Sequence, residues 1–189
     1  SELGAELLTY FDEKIELTRL EASALYAGIV VDTKNFAVQT GVRTFEAAAF
    51  LRRSGADPAL VRQLFRYDME TLKLRALILG SAEILKGGVV FAVCPFEVKN
   101  GQIIAAQSAD TLLNIEGVRV SFVLWPVDED ERISARSNGD VNVQVIMEAF
   151  NGGGHQTVAG AHIAGVDVVE ARRRLEAVIA DYIGEGKEQ

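Results

Sequence analysis

The sequence predicts an α/β protein in two parts, helices first and then a small mixed sheet with helices of its own. Three observations predict it. Apolar residues recur at helical spacing through the first half of the chain. At Gly87-Gly88 the period changes, and short β-rich runs follow. The 189 residues, 49% of them hydrophobic, are enough for a sizeable core without staples, since a chain of roughly 150 residues buries about 70% of its unfolded surface.

Each element has its own signal. Leu3, Leu7, Leu8, Phe11 and Ile15 form one apolar stripe, the mark of a first amphipathic helix. Thr18 with Glu21 three residues later is a capping box, in which each side chain answers an orphan amide of the first turn. The helix it opens carries Leu20 and Leu25 towards Val31-Asp32. Thr44 can cap a helix from Phe45 to Arg53, closed by Gly55 in a left-handed conformation. Asp57-Pro58 restarts the pattern with a cap and a proline at the first helical position, and Leu60, Val61, Leu64 and Phe65 supply the buried face. A long helical stretch runs from about Asp68 to Lys86.

Beyond the glycines, Val89 to Val93 is a strand before Pro95. Val118 to Trp125 alternates in part and stops at Pro126, Asp128 to Glu131 is an acidic turn, and Ile133 to Ser137 is the returning hairpin strand. Val141 to Phe150 reads as a helix capped by Asp140, Ala159 to Ile163 as a strand, and Asp167 to Ile183 as the closing helix. The organisation is 1–67, a connecting helix 68–87, and 88–189.

Composition narrows the function. Acidic residues number 27 against 19 basic ones, a net charge of −8. Such a surface repels long polyanions, so long nucleic acid is not expected as a partner, whereas a small nucleotide can be held by a local cluster of donors. The single cysteine, Cys94, rules out an internal disulfide. No apolar run reaches the roughly 18 residues that cross a bilayer, so no membrane contact by this chain is expected. Ser1-Glu2-Leu3-Gly4 lacks the features of a signal peptide and an initiator methionine, as a piece of a longer protein would.

Three segments carry candidate chemistry. In Asn151-Gly152-Gly153-Gly154-His155, three consecutive glycines are costly in chain entropy, so something requires them. Either they stop a helix and form a loose turn with His155 at the surface, or they let a ligand approach bare backbone. In the second case the amides around His155 begin a helix that faces an anion. In Ser134-Ala135-Arg136-Ser137, Arg136 can clamp a phosphate or carboxylate with help from either hydroxyl. Equally, it can be an exposed arginine paired with Asp128, Glu129 or Asp130. Asp32 follows an apolar run and precedes Thr33 and Asn35, a position at an element's end where it could ligate Mg²⁺ or Mn²⁺ or merely cap a turn. His162 lies in an apolar strand, Cys94 has no basic neighbour, and no nucleophile elbow is present.

Taken together these segments resemble the DHH phosphoesterase family. Gly152-Gly153-Gly154-His155 with Ala159-Gly160-Ala161 is similar to the glycine-histidine signature of its DHH-associated C-terminal domain, and Ser134 to Ser137 with Val141-Asn142-Val143 precedes it at the usual interval. Leu25 to Phe36, then Arg43 to Ala48, resembles the last part of the catalytic DHH domain. The wording is most similar to the GdpP type, membrane-anchored bacterial phosphodiesterases of cyclic di-AMP.

The resemblance implies that residues 1–67 are the helical C-terminal part of a DHH domain and 88–189 a mixed-sheet substrate-binding domain. It implies two Mn²⁺ ions in the intact family domain, with Asp32 a metal ligand and catalytic residue and with Thr33 and Asn35 behind it. Arg136, Ser137, Gly153, Gly154 and His155 would bind a cyclic dinucleotide or short oligonucleotide. The family's Asp-His-His triplet and earlier acids are absent, so Mn²⁺ is expected to bind weakly or not at all and the chain to be catalytically incomplete. Asn151 stands where the family usually has another glycine, and Val158 where small residues are common.

The leading expectation is therefore part of a Mn-dependent phosphodiesterase in the cytoplasmic domain of a membrane-anchored protein. The alternatives are a short-oligonucleotide exonuclease or bisphosphate nucleotidase on the same scaffold, and a non-catalytic nucleotide-binding module. Leu72 and Leu79 could serve a homodimer or the core.

Overall fold

A computed structural model describes residues 1–11 and 16–185. They fold as two compact units, one of Ser1–Tyr67 and one from Asp68 onward.

The first unit has four helices: α1 (Glu2–Phe11), α2 (Arg19–Asp32), α3 (Val42–Arg53) and α4 (Pro58–Leu64). The Thr18–Glu21 box opens α2, the Glu21 carboxylate accepting from the Thr18 amide at 2.9 Å. Asp57 caps α4 by accepting from the Ala59 amide at 2.9 Å, with Pro58 at its start. Helix α3 begins earlier than Thr44 suggests. Gly41 is the cap, and the Thr44 hydroxyl reaches back to accept from the Gly41 amide at 3.1 Å.

The core of this unit is Ala5, Ala22, Ile29, Ala47, Leu51 and Ala56. Four alanines in six let the helices approach closely. The leucine stripe is not the buried face: Leu3 and Leu7 are exposed and Ala5 is covered, while in α4 Val61 is buried and Leu64 and Phe65 are exposed. Spacing identifies an apolar side of a helix, but which side is covered depends on the neighbours. Ile15 and the side chain of Phe11 lie outside the described residues.

The second unit contains α5 (Met69–Gly80), β1 (Glu83–Leu85), β2 (Val89–Val93), α6 (Gly101–Leu113), β3 (Val120–Val127), β4 (Asp130–Ser137), α7 (Val143–Glu148), β5 (Gly153–His155), β6 (Val158–Ile163) and α8 (Val168–Glu185). One sheet runs in the order β1-β2-β3-β4-β6-β5. Strands β2 and β3 are parallel, with α6 as their crossover, and the other pairs are antiparallel.

The helix expected to reach Lys86 stops at Gly80, because Glu83–Leu85 turn back on β2 as a hairpin through Gly87 and Gly88, at φ 82° and 76°. Helix α6 carries no strong sequence signal, since its buried face is Ile104, Ala105, Ser108, Ala109 and Leu112, mostly small residues. Strand β3 runs through Pro126 rather than stopping there. The pairing with β2 ends at Val93↔Leu124, so the missing amide faces no β2 partner. Asn142, not Asp140, caps α7, accepting from the Gln144 amide at 3.1 Å.

Alternation sorts the sheet's residues to its two faces. Phe91, Phe122, Leu124, Ile133 and Ala135 pack with Ile146 and Met147 of α7 and Leu175 of α8. Val90, Ala92, Val123 and Trp125 pack with Ile78 of α5 and Ile104, Ala105 and Leu112 of α6. Leu79 packs against this second cluster, whereas Leu72 is half exposed.

Candidate functional site

Gly153–His155 is extended, not the start of a helix. It forms the edge strand β5, paired with β6 as Gly153↔Gly160, Gly154↔Ala159 and His155↔Val158. The expectation of a helix N-terminus facing an anion is corrected by this pairing, which draws the segment into the sheet.

The three glycines do different things. A Cβ on Gly154 would overlap the Val158 carbonyl and lie 2.8 Å from the Ala159 Cβ, and its φ of +151° is unusual for other residues. A Cβ on Gly152 would overlap the Gly160 carbonyl and lie 2.7 Å from the Ala161 Cβ. Both glycines are required so that β5 can close on β6. A Cβ on Gly153 would meet nothing within 4 Å. Neither packing nor backbone angle demands glycine there.

Register explains the difference. Residues directly opposite on neighbouring strands point to the same face. His155 is opposite Val158, and Val158 is opposite Arg136 of β4; Gly153 is opposite Gly160, and Gly160 is opposite Ser134. These six residues form one shelf, and at about 4.8 Å per strand His155 and Arg136 are about 10 Å apart at the backbone. The reverse face carries Ala135 and Ala159 in the core.

Arg136 is held from this side by α6. Its Nε lies 3.2 Å from Asp110 Oδ1, and Nη1 donates to Ser134 Oγ at 3.2 Å and to the Ala135 carbonyl at 2.9 Å. The side chain is 12% exposed, and among the described residues Nη2 has no hydrogen-bond partner. Pairing with Asp128, Glu129 or Asp130 is excluded by distance, because Asp130 is at the far end of β4, about 20 Å along an extended strand.

The His155 ring is exposed and has no partner among the described residues. Ser137 points the other way from Arg136, and its hydroxyl accepts from the amides of Gly139 at 3.0 Å and Val141 at 3.3 Å, fixing the turn into α7. Ser134 is the hydroxyl beside Arg136. Gly160, part of the glycine-histidine signature, is placed on the shelf by the pairing register. Asp110, which holds Arg136 from α6, is not singled out in the sequence, and only the packing of α6 on the sheet brings it there.

In the first unit Asp32 ends α2 with its side chain 67% exposed. Thr33 beneath it is buried, donating to the Ile29 carbonyl at 2.7 Å and accepting from the Phe36 amide at 2.9 Å. Lys34, Asn35 and Phe36 then take φ of 47°, 60° and 64°, three successive left-handed residues without a glycine. The Phe36 ring, stacked on Phe45 at 5.6 Å and tilted against Tyr26 at 6.0 Å, holds this turn. Asp32, Thr33, Ile29 and Gln39 border a hollow of about 330 Å³.

Among the described residues no three His, Cys, Asp or Glu side chains are placed to share a metal ion. One exposed carboxylate does not fit a two-metal centre. The shelf, by contrast, presents what an anionic, planar guest needs: a guanidinium, an imidazole and bare backbone. Away from both places, burial pushes the Glu131 carboxyl up to about 7, with Asp167 adding to the shift, and burial also raises the Cys94 thiol.

Residues 86–185 match the family model of the DHHA1 domain. The chain is 48% identical over 188 residues to the cyclic-di-AMP phosphodiesterase GdpP of Geobacillus thermodenitrificans, covering 99% of this chain and 29% of that protein. It is 44% identical over 183 residues to the cyclic-di-AMP phosphodiesterase PdeA of Listeria monocytogenes, covering 96% of this chain and 28% of that protein. To the bifunctional oligoribonuclease and PAP phosphatase NrnA of Bacillus subtilis it is 31% identical, over 85% of this chain and 52% of that one. The chain thus spans under a third of the first two relatives. Among solved structures, an exopolyphosphatase-related protein from Bacteroides fragilis has the same fold, with a TM-score of 0.78 at 22% identity over 87% of this chain and 51% of that one.

Proposed function

The chain belongs to the DHHA1-domain family, and from that membership we propose that it is the substrate-gripping part of a phosphodiesterase that opens cyclic di-AMP to a linear dinucleotide. Gly153 carries the reading. It is the one glycine of its run that the fold does not require, and it lies on the same face as Arg136 and His155. A ligand that lies against bare backbone would require it.

In this reading Nη2 of Arg136 donates to a phosphate oxygen while Asp110 and Ser134 hold the rest of the guanidinium. His155 adds a ring donor to phosphate or sugar, and Gly154 acts by keeping β5 in place. Asp32 is assigned as a metal ligand on the family resemblance, and hydrolysis needs acidic ligands beyond the described residues. No chemical step is derived for this chain alone. No helix among the described residues is long and apolar enough to cross a membrane, and the membrane anchor of this reading lies outside them.

A linear substrate is the second reading, favoured by the likeness to a relative named for oligoribonuclease activity. Calorimetry with cyclic di-AMP and with a linear dinucleotide, with and without Mn²⁺, separates the two. The expected result is metal-independent binding of the cyclic ligand, weakened about tenfold by Arg136→Ala, as for loss of a charge-assisted hydrogen bond. No turnover is expected from this chain with Mn²⁺. Tighter binding of the linear ligand supports the second reading, absence of binding to either ligand refutes both, and robust turnover would overturn the claim of incompleteness.

A further inference from the structure

At the end of β4 far from Arg136, the second unit buries an acid that neither the shelf nor Asp32 uses. Glu131 shares a face of β4 with Ile133 and Ala135, the face that packs on α7 and α8. The residue is 4% exposed, and its buried Oε2 has no hydrogen-bond partner among the described residues. Opposite it stand Pro126 on β3 and Ile163 on β6, whose side chains are apolar. The segment 164–167 leads from β6 into α8 beside Glu131 and Pro126, and Val166 and Val168 pack against the same core.

The surrounding charges give Glu131 no counter-ion. Asp167, in the entry segment, is a second carboxylate and acts on it as a like charge. Asp128 and Glu129, in the β3–β4 turn, are acids too. Cys94 is a buried thiol, pushed up by burial and then by Glu131 itself. Asp130 and Arg132 project from the other face of β4, and His162, 2.6 Å from Asp130, from the other face of β6. Helices α7 and α8 bring Ile146, Met147, Ala171 and Leu175 to the core side, while Glu170 is engaged by Arg173 and Arg174. A carboxylate sealed in such a place is strongly destabilising when charged and tolerated when neutral.

We propose that Glu131 is a proton-operated latch on the entry to α8. Neutral, it lets the segment 164–167 close over the core; on losing its proton it favours an opened segment that admits water. Burial, with Asp167 adding to it, holds the carboxyl up at about 7, above its unfolded value of about 4.3. The closed form is therefore favoured in full below about pH 4, and that advantage is lost as pH rises towards about 7. Local opening of this kind needs only the segment and the first turns of α8 to lift, not the sheet to unfold. The latch uses no group of the shelf and stands whether or not the phosphodiesterase reading does.

The test is hydrogen exchange on the whole chain between about pH 5 and about pH 8, corrected for intrinsic rates, with α6 as internal control. Opening of the first turns of α8 should rise about tenfold or more across this range, while α6 changes little. Histidines also change charge here, so the comparison is with Glu131→Gln, which keeps both and should abolish the rise. Asp167→Asn keeps a capping oxygen for the Glu170 amide, removes the like charge and should reduce the rise. Titration of the Glu131 carboxyl carbon by NMR needs no variant and should have its midpoint near 7. A midpoint near the ordinary carboxylate value of about 4, a rise of equal size in Glu131→Gln, or one shared equally by α6 would each overturn the proposal.

Discussion

Arg136 Nε lies 3.2 Å from Asp110 Oδ1, so the guanidinium on the glycine shelf is tethered to α6 and not to the acids of its own hairpin. The tether uses Nε and leaves Nη2 for a guest. Removing Asp110 would leave a largely buried cation without its counter-charge. Asp110→Ala is expected to cost about 1–3 kcal/mol of stability, less than a fully buried pair because Asp110 is partly exposed. Urea unfolding measures it. A change within about 0.3 kcal/mol would show the pair to be ornamental.

The glycines of β5 should separate by role. Gly153→Ala meets open space and is expected to leave stability unchanged or raise it by up to about 1 kcal/mol, while weakening dinucleotide binding. Gly154→Ala forces a side chain into β6 at φ +151° and should cost more than about 2 kcal/mol. Denaturant curves and calorimetry on the two variants give the comparison. Equal stability loss in both would show that β5 is not registered on β6 as described.

Ser137 is expected to matter for stability and not for ligand. Its hydroxyl accepts from two amides at the turn into α7. Ser137→Ala should lose about 1–3 kcal/mol, the cost of unanswered buried donors. Dinucleotide affinity, measured where the variant is fully folded, should be unchanged. A selective loss of affinity would instead place the hydroxyl against the ligand.

The cap of α4 gives a pH signature. The Arg19 guanidinium, and then the Ala59 amide, hold the Asp57 carboxyl below the usual carboxylate range. A depressed acid favours the folded state in its charged form. Its contribution is therefore complete above about pH 4, the unfolded carboxylate value, and is lost as pH falls through the lower folded one. Hydrogen exchange in α4 should accelerate as pH drops below about 4 in the wild type, after correction for intrinsic exchange. Asp57→Asn still caps the helix and should flatten that dependence. An unchanged slope would assign the acid sensitivity elsewhere.

The signals read correctly in the sequence are those in which a side chain answers a backbone group a few residues away. The Thr18–Glu21 box and the Asp57-Pro58 start belong to this class. The exposed Leu3 and Leu7 and the unannounced α6 belong to another, because burial depends on which neighbour arrives. Alanine and serine bury as well as leucine does when a sheet presses on them, and hydropathy gives no warning of it.

What the sequence determined by itself was the α/β class in two parts, the caps, and a glycine-histidine segment whose entropy cost demanded a reason. What only the tertiary structure decided was which glycine is open, which serine stands beside Arg136, and that Asp110 holds it. The physical reason is register. Side chains alternate along a strand, so a slip of one residue between β4, β6 and β5 would turn Gly153, His155 and Arg136 away from one another. No local pattern in any one strand records how the three are aligned.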